Sequence, residues 1–392
     1  MITIIILIIL AGITINAVIG DNGLIYQAKN SKDMSSNEIV ETEGSMNNLF
    51  DEYANMMAED SELPIVEIPS TVEEAKESKF VFTEKTVIED EHGNKITIPE
   101  GFNVPEASGD TVQEGIVIED VISSSDENVQ GSQYVWIPVG KFIKDDGIES
   151  NEIILGRYTF NTANGTPILQ QNSENYTDSV VINSYYTELS AYREGIASSG
   201  TDGLNATAKD LQRFIESVNE NGGYYIGRYE ASFASGNSIE NYKAASKVST
   251  SYSTTSMLYK LGTLWNYITQ INASKVAINT YADSEVVKSD LMNSYAWDTA
   301  IVYIQEAGNN NYANKKGTVI NTNLTNTGTK QDEVCKINDM ASNIRELTTE
   351  YSSHKQGNHA NPCVRRGGNY NSSTSYTAYR NNTDAADFRV SL

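Results

Sequence analysis

Few side chains in this 392-residue chain could do covalent chemistry. There are two cysteines, Cys335 and Cys363, and three histidines, His92, His354 and His359. A structural zinc ion takes about four ligands at characteristic spacings, and two cysteines with His354 and His359 are poorly spaced for one. No Ser-His-Asp constellation stands out, and no glycine loop of the phosphate-cradling kind is present. His92 falls in a turn pattern, Glu91-His92-Gly93-Asn94, and is expected to face solvent. The cysteines flank two motifs, Asp339–Glu346 and Arg365–Gly368. A Cys335–Cys363 disulfide would close a loop of about 29 residues and stabilise the fold by roughly 3–4 kcal/mol in the chain-entropy model. The alternative is two buried free thiols; an extracellular setting favours the bridge. Asp339, Asn343 and Glu346 present oxygens that can ligate calcium. The favoured reading is that Asn343 and Glu346 cap or brace strands, with no cofactor.

The more informative chemistry is non-covalent and lies near the C-terminus. From Asn369 to Ala386 every residue except Arg380 is Asn, Tyr, Ser, Thr, Asp or Ala. Asn codons consist of two adenines and a pyrimidine, and changing one or both adenines yields the other five types. The run contains no Leu, Ile, Val, Phe or Met, so it supplies little core. Arg365-Arg366-Gly367-Gly368 precedes it, and the half-buried strand pattern Phe388-Arg389-Val390 follows it. Tyr among Ser, Asn and Thr is also the composition of antibody paratopes. There, rigid amphipathic rings and adaptable short polar groups share the contact. Candidate ligand-binding residues are therefore Asn369, Tyr370, Asn371, Ser373, Ser375, Tyr376, Tyr379, Asn381, Asn382 and Asp384. Arg380 is expected to serve the fold.

The flanking motifs resemble those of the formylglycine-generating enzyme (sulfatase-modifying factor) family, whose domain has the C-type-lectin-like fold. Asp339-Met340-Ala341-Ser342-Asn343-Ile344-Arg345-Glu346-Leu347 resembles that family's Asp-Met-x-Gly-Asn-Val-x-Glu-Trp, with Ser342 and Leu347 as departures. Arg366-Gly367-Gly368-Asn369-Tyr370 is similar to its Arg-Gly-Gly-Ser-Trp. Arg380 and Phe388-Arg389-Val390 are similar to its last two elements, with Asp387 in place of a glycine. The polar run resembles the variable region of target proteins of diversity-generating retroelements, which display a hypervariable face on this fold. That resemblance implies a binding protein diversified at adenines. The enzyme family places two catalytic cysteines in its C-terminal segment, and none lies between Arg366 and Leu392 here. The likeness therefore does not carry the oxidase activity, because function lives in the site rather than the fold. Some members of the family bind calcium, so calcium stands as the only cofactor to consider.

Positioning these residues falls to strands expected at 134–138 and 224–230, and to helices near 206–218, at 256–276 and at 295–306. Trp136, Trp265 and Trp297 fall in core contexts. Residues 1–28 contain an apolar stretch approaching a bilayer core in helical length. That stretch resembles the N-terminal helix of type IV pilin-like proteins, without their cleavage motif or glutamate. Residues 29–62 read as an amphipathic stalk helix. Residues 63–130 read as a small acidic β spacer, with the lectin-like domain at 131–392 and its variable region at 369–387. The fold class expected is α+β. Formal net charge is −24, from 52 acidic and 28 basic residues, which argues against nucleic acid as a partner. Together these readings imply a bacterial cell-surface adhesion protein, held in a membrane or pilus by its N-terminal helix. Its partner would be a protein or glycan on another cell or a phage. The alternatives are a formylglycine-generating-type oxidase and a structural minor pilin.

Overall fold

A computed structural model of the chain describes residues 67–170, 186–187, 211–317, 323–329, 332–352, 355–356, 359–360 and 363–383. The chain divides into two units, Met1–Glu67 and Ile68–Leu392, and all the described residues but Glu67 belong to the second. The expected helices over 1–28 and 29–62 lie outside the described residues. Among the described residues no helix is long and apolar enough to cross a membrane.

The second unit is α+β, with two four-stranded antiparallel sheets. One sheet runs Phe102–Asn103, Val117–Asp120, Gln133–Pro138, Gly223–Gly227 in spatial order. Its centre is Gln133–Pro138, where Val135, Trp136 and Ile137 are all buried, as a strand covered on both faces must be. Trp136 pairs with Tyr225 across the ladder, and their rings lie 5.1 Å apart. The second sheet runs Arg380–Thr383, Cys363–Arg366, Glu346–Ser352, Tyr186–Thr187. The Arg-Arg-Gly-Gly clamp and the polar run thus contribute neighbouring strands, registered Arg366 opposite Arg380 and Arg365 opposite Asn381.

The helix Ser294–Glu306 contributes to the main core. Asn293 caps it by accepting from the Ala296 amide at 2.9 Å. Trp297, Ala300, Ile301 and Ile304 are buried in the same apolar cluster as Trp136 and Ile137. Residues from Ser294 to Ile304 are buried almost all round, so this is an interior helix. Trp265 belongs to a second cluster with Phe233, Ile268 and Leu347.

Three expectations about elements need correction. The stretch 63–130 is no separate spacer. Its Val117–Asp120 strand pairs with Gln133–Pro138, and Ile88, Ile96, Ile98 and Ile116 lie in the main core. The Val/Ile pairs that suggested a β linker are core residues of the one domain. The helix expected over 256–276 begins only at Gln270 and ends at Thr280. Before it, residues 262–265 bond along the strand Ser232–Ser235, with the Phe233 amide donating to the Thr263 carbonyl at 2.7 Å. Met257, Leu264, Trp265 and Ile268 are buried as their period suggested, but Leu258 and Leu261 stand exposed. Finally, the hairpin turn at Glu91–Asn94 forms between Thr86–Glu89 and Lys95–Ile98. There His92 is half-buried, with Nε2 3.4 Å from the Asp145 carboxylate.

Candidate functional site

The polar run is built onto a buried charged frame. Arg366 and Arg380 face Asp298 and Glu350, and all four side chains are essentially inaccessible. Arg380 Nε donates to both Glu350 oxygens at 2.9 and 3.1 Å, and its Nη2 donates to Asp298. Its Nη1 donates to the Tyr158 carbonyl at 3.2 Å. Arg366 donates to Asp298 and, at 3.3 Å, to Glu350. Its guanidinium lies 5.8 Å from the Trp297 ring centroid. Two positive and two negative charges balance, and their mutual hydrogen bonds offset the desolvation cost that each buried ion carries. Arg380 therefore serves the fold, as expected. Asp298 and Glu350 were missed by sequence reasoning. The available signal was Asp298 itself, the one charge between Trp297 and Ile304 in an otherwise apolar helical stretch.

Main-chain bonds then fix the run. Trp297 Nε1 donates to the Thr377 carbonyl at 3.0 Å. The Thr377 and Ala378 amides donate to the Lys315 and Ala313 carbonyls at 3.0 and 2.9 Å. The entry is set by Gly367 and Gly368. A Cβ on Gly368 would sit 1.6 Å from the Ala341 carbonyl oxygen, so only glycine lets the two backbones meet.

The side chains divide between inside and outside. Asn371, Ser373 and Thr374 are exposed, and Asn369, Tyr370, Tyr376, Tyr379, Asn381 and Asn382 are half-buried. Tyr370 packs against Leu264, Leu324 and Ile344, and Tyr376 packs partly on the main core. The Tyr376 and Tyr379 rings meet edge to face at 5.2 Å. Ser375 is a correction: it is fully buried, accepts from Arg345 Nη2 and donates to Ser372, so it braces the run and cannot touch a ligand directly. Thr377 and Ala378 also point inward. Asp384 lies outside the described residues, as do Asp387 and Phe388–Val390.

The expected Cys335–Cys363 disulfide is not formed. Cys335 occupies the turn of the hairpin Glu333–Val334/Ile337–Asn338, and its backbone lies against Gly115. Cys363 is buried in the second sheet, opposite Thr383. The two cysteines thus belong to different sheets. Burial pushes the Cys335 thiol up to about 12, which disfavours the reactive thiolate.

Asp339, Asn343 and Glu346 converge as expected, joined by Glu230. Asn343, at φ +56°, donates through Nδ2 to Glu230 Oε2 at 2.5 Å and accepts from the Thr325 amide at 3.0 Å. The Ile344 amide donates to Glu230 Oε1 at 3.1 Å. Asp339 accepts from the Thr327 hydroxyl at 2.8 Å and the Gly328 amide at 3.2 Å. Burial raises the Asp339 carboxyl to about 6. Burial, then the nearby Asp339 charge, raises Glu230 well above the usual carboxylate range. Burial, then Glu230, does the same to Glu346. Such facing carboxyls hold a proton between them. Asn343 Oδ1 and Asp339 Oδ2 already accept from protein donors, so a calcium ion placed here would displace those bonds, while the enclosed Glu346 Oε2 has no hydrogen-bond partner. Among the described residues no group of three His, Cys, Asp or Glu side chains is placed for a metal ion.

No family model, no curated protein and no solved structure matches this chain.

Proposed function

We propose that the chain is a non-enzymatic, surface-displayed ligand-binding protein of C-type-lectin-like type, with residues 369–387 as its diversified contact region. One observation carries the reading. The described part of the run is held by its main chain, by Arg380 and by inward side chains such as Ser375, while Asn371, Ser373 and Thr374 project to solvent and Tyr379 and Asn381 are half-open beside them. Side chains on such a strip can change without altering what holds the strip. The tyrosines supply contact area, and the short polar residues supply adaptable hydrogen bonds. The ligand is a protein or glycan on another cell or a phage, and the apolar N-terminal stretch holds the protein in a membrane or pilus. Diversification is adenine-directed. The adjacent DNA then holds a reverse transcriptase gene and a near-copy of the 363–392 coding stretch differing at adenines.

The oxidase alternative has no support in the cysteines, since Cys363 is enclosed and the Cys335 thiol resists ionisation. The binding test is adhesion of the full chain to a panel of cells and phages. Replacing Tyr379, Asn381, Asn371 and Ser373 together by alanine abolishes binding while the melting temperature holds. Unchanged adhesion in that variant would return the chain to the structural-pilin alternative. Conversion of a peptide cysteine to formylglycine, read by mass spectrometry, would refute the non-enzymatic reading.

A further inference from the structure

From Asn241 to Ala282 there is no Asp or Glu, the longest acid-free run in a chain of net charge −24. The carboxylates that bound it are paired with lysines from inside it, Glu240 with Lys275 at 3.0 Å and Asp283 with Lys243 at 3.3 Å. Within this run large apolar side chains stand open. Val248, Tyr252, Leu258, Tyr259 and Leu261 each keep between 42% and 57% of their surface exposed. Exposure alternates from Val248 to Ser253, so Val248, Thr250 and Tyr252 face outward together. A Cβ on Gly262 would lie 2.6 Å from Thr250 Oγ1, which sets Leu261 next to that face. The tip at 258–261 is held rather than loose. Met257, just before it, is buried. The Tyr259 ring stacks on Tyr242 at 4.8 Å and meets Phe233 and Trp265 edge to face. The Thr250 amide donates to the Gly262 carbonyl at 2.8 Å, and Asn266 Nδ2 donates to the Ser253 carbonyl at 2.6 Å. Inside the tip, the Lys260 amide donates to the Leu258 carbonyl at 2.9 Å and the Thr263 amide to the Lys260 carbonyl at 3.0 Å. Lys260 is exposed and has no carboxylate partner among the described residues.

We propose that the tip at 258–261, with Val248 and Tyr252 beside it, docks on the interface of a phospholipid bilayer. Large apolar groups held together in water mark an interaction site. Five such side chains, each about half open, present on the order of 500 Å². A stable protein partner covers about 800 Å² on each side, more than this face offers. Two copies of the chain, each at −24, also repel one another. A bilayer sets no such minimum, because binding grows with the apolar area inserted. Leu258 and Leu261 supply that area, and Tyr252 and Tyr259 are of the type that settles at headgroup level. Lys260 can lay its stem along the apolar surface and set its ammonium among the lipid phosphates. A carboxylate there would be repelled by those phosphates, and the stretch carries none. The turn's internal main-chain bonds meet the demand that a bilayer places on backbone groups. The proposal concerns residues other than the polar run and does not rest on the ligand-binding reading.

The test sets a fluorescent reporter in the tip of the full chain, Tyr259→Trp, and reads its emission in phosphatidylcholine vesicles with and without acyl-chain bromine. Trp136, Trp265 and Trp297 are enclosed, so the parent chain supplies the baseline. Residues 1–28 are expected to hold the full chain on vesicles unaided, so the readout is local to the tip rather than bulk binding. Expected is emission shifted to shorter wavelength and quenched by the brominated lipid beyond the parent. Leu258→Ser with Leu261→Ser should abolish both effects at an unchanged melting temperature, because both positions are exposed. Lys260→Glu, which sets a carboxylate among the phosphates, should reduce the quenching; no reduction would remove Lys260 from the contact. Should Tyr259→Trp fail to fold, Leu261→Trp carries the reporter. Emission of a water-exposed tryptophan, with no quenching by brominated lipid, would overturn the proposal. Quenching undiminished in the double serine variant would do the same. Shielding seen in crowded vesicles but absent from nanodiscs holding one copy each would assign the face to a second copy and overturn the lipid assignment. None of these outcomes touches adhesion through Tyr379 and Asn381, so the two readings fail separately.

Discussion

Arg380→Met separates the frame beneath the polar run from the residues it displays. The substitution keeps much of the side-chain volume and removes one charge. It leaves Asp298 and Glu350 facing Arg366 alone, one net negative charge in a wholly enclosed site, and leaves the Tyr158 carbonyl without its donor. Removing one partner of a buried ion pair costs about 3–5 kcal/mol. That is a large share of the roughly 5–15 kcal/mol that separates most folded domains from their unfolded chains. Urea unfolding followed by circular dichroism reads it directly. At a slope of about 1–3 kcal/mol per molar urea, the midpoint should fall by about 1 M or more. Asn371→Ala, Ser373→Ala and Thr374→Ala, on exposed positions of the same run, should each stay within about 0.5 kcal/mol of the parent. Adding Asp298→Asn to Arg380→Met restores the charge balance and should recover part of the loss, a non-additivity expected of residues in one network. A midpoint for Arg380→Met indistinguishable from that of Ser373→Ala would refute the frame.

Other measurements probe the neighbouring parts. Gly368→Ala should destabilise the domain by several kcal/mol, because its Cβ meets backbone rather than a movable side chain; a folded variant with an unchanged urea midpoint would show that the Ala341 contact relaxes freely. The Asp339 carboxyl, raised to about 6 by burial, binds a proton more tightly folded than unfolded, so its contribution is full below its unfolded value and is lost as pH rises through about 6. The melting temperature should therefore climb between pH 7 and pH 5, and Asp339→Asn should flatten that climb; an identical profile in the variant would remove Asp339 as its source. Calcium added after chelation should move the melting temperature by less than about 1 °C, since a ligand stabilises only the state that binds it. A shift of several degrees that Asp339→Asn abolishes would mean the Asn343 network opens to the ion.

How much of this was legible beforehand differs by element. Gln133–Pro138 and Gly223–Gly227 announce themselves by β-branched and aromatic residues, and Ser294–Glu306 by its apolar period. Residues 256–269 carry an equally helical period, yet pairing with Ser232–Ser235 outweighs it, because long-range ladder bonds leave no trace in local spacing. Within the run, Ser373 and Ser375 are the same residue type two positions apart, one exposed and one enclosed. Composition cannot tell them apart, because the inward one is fixed by Arg345, thirty positions upstream. Asp298 carried a signal as the one charge in its apolar stretch, whereas Glu230 and Glu350 were hidden among 52 acidic residues. Glu230 is marked only by its position beyond the Gly223–Gly227 strand.

The first sheet also sets an order on biosynthesis. Val117–Asp120 finds Gln133–Pro138 almost at once, but the far edge of Gln133–Pro138 stays open until Gly223–Gly227 has left the ribosome. Through that interval a nascent chain presents Val135 and Ile137 on an unmated strand, an invitation to pair with a neighbouring nascent chain. A gene fragment begun at residue 131 would make the same exposure permanent on the opposite edge, and should be recovered as aggregate, whereas one begun at Ile68 keeps the whole sheet.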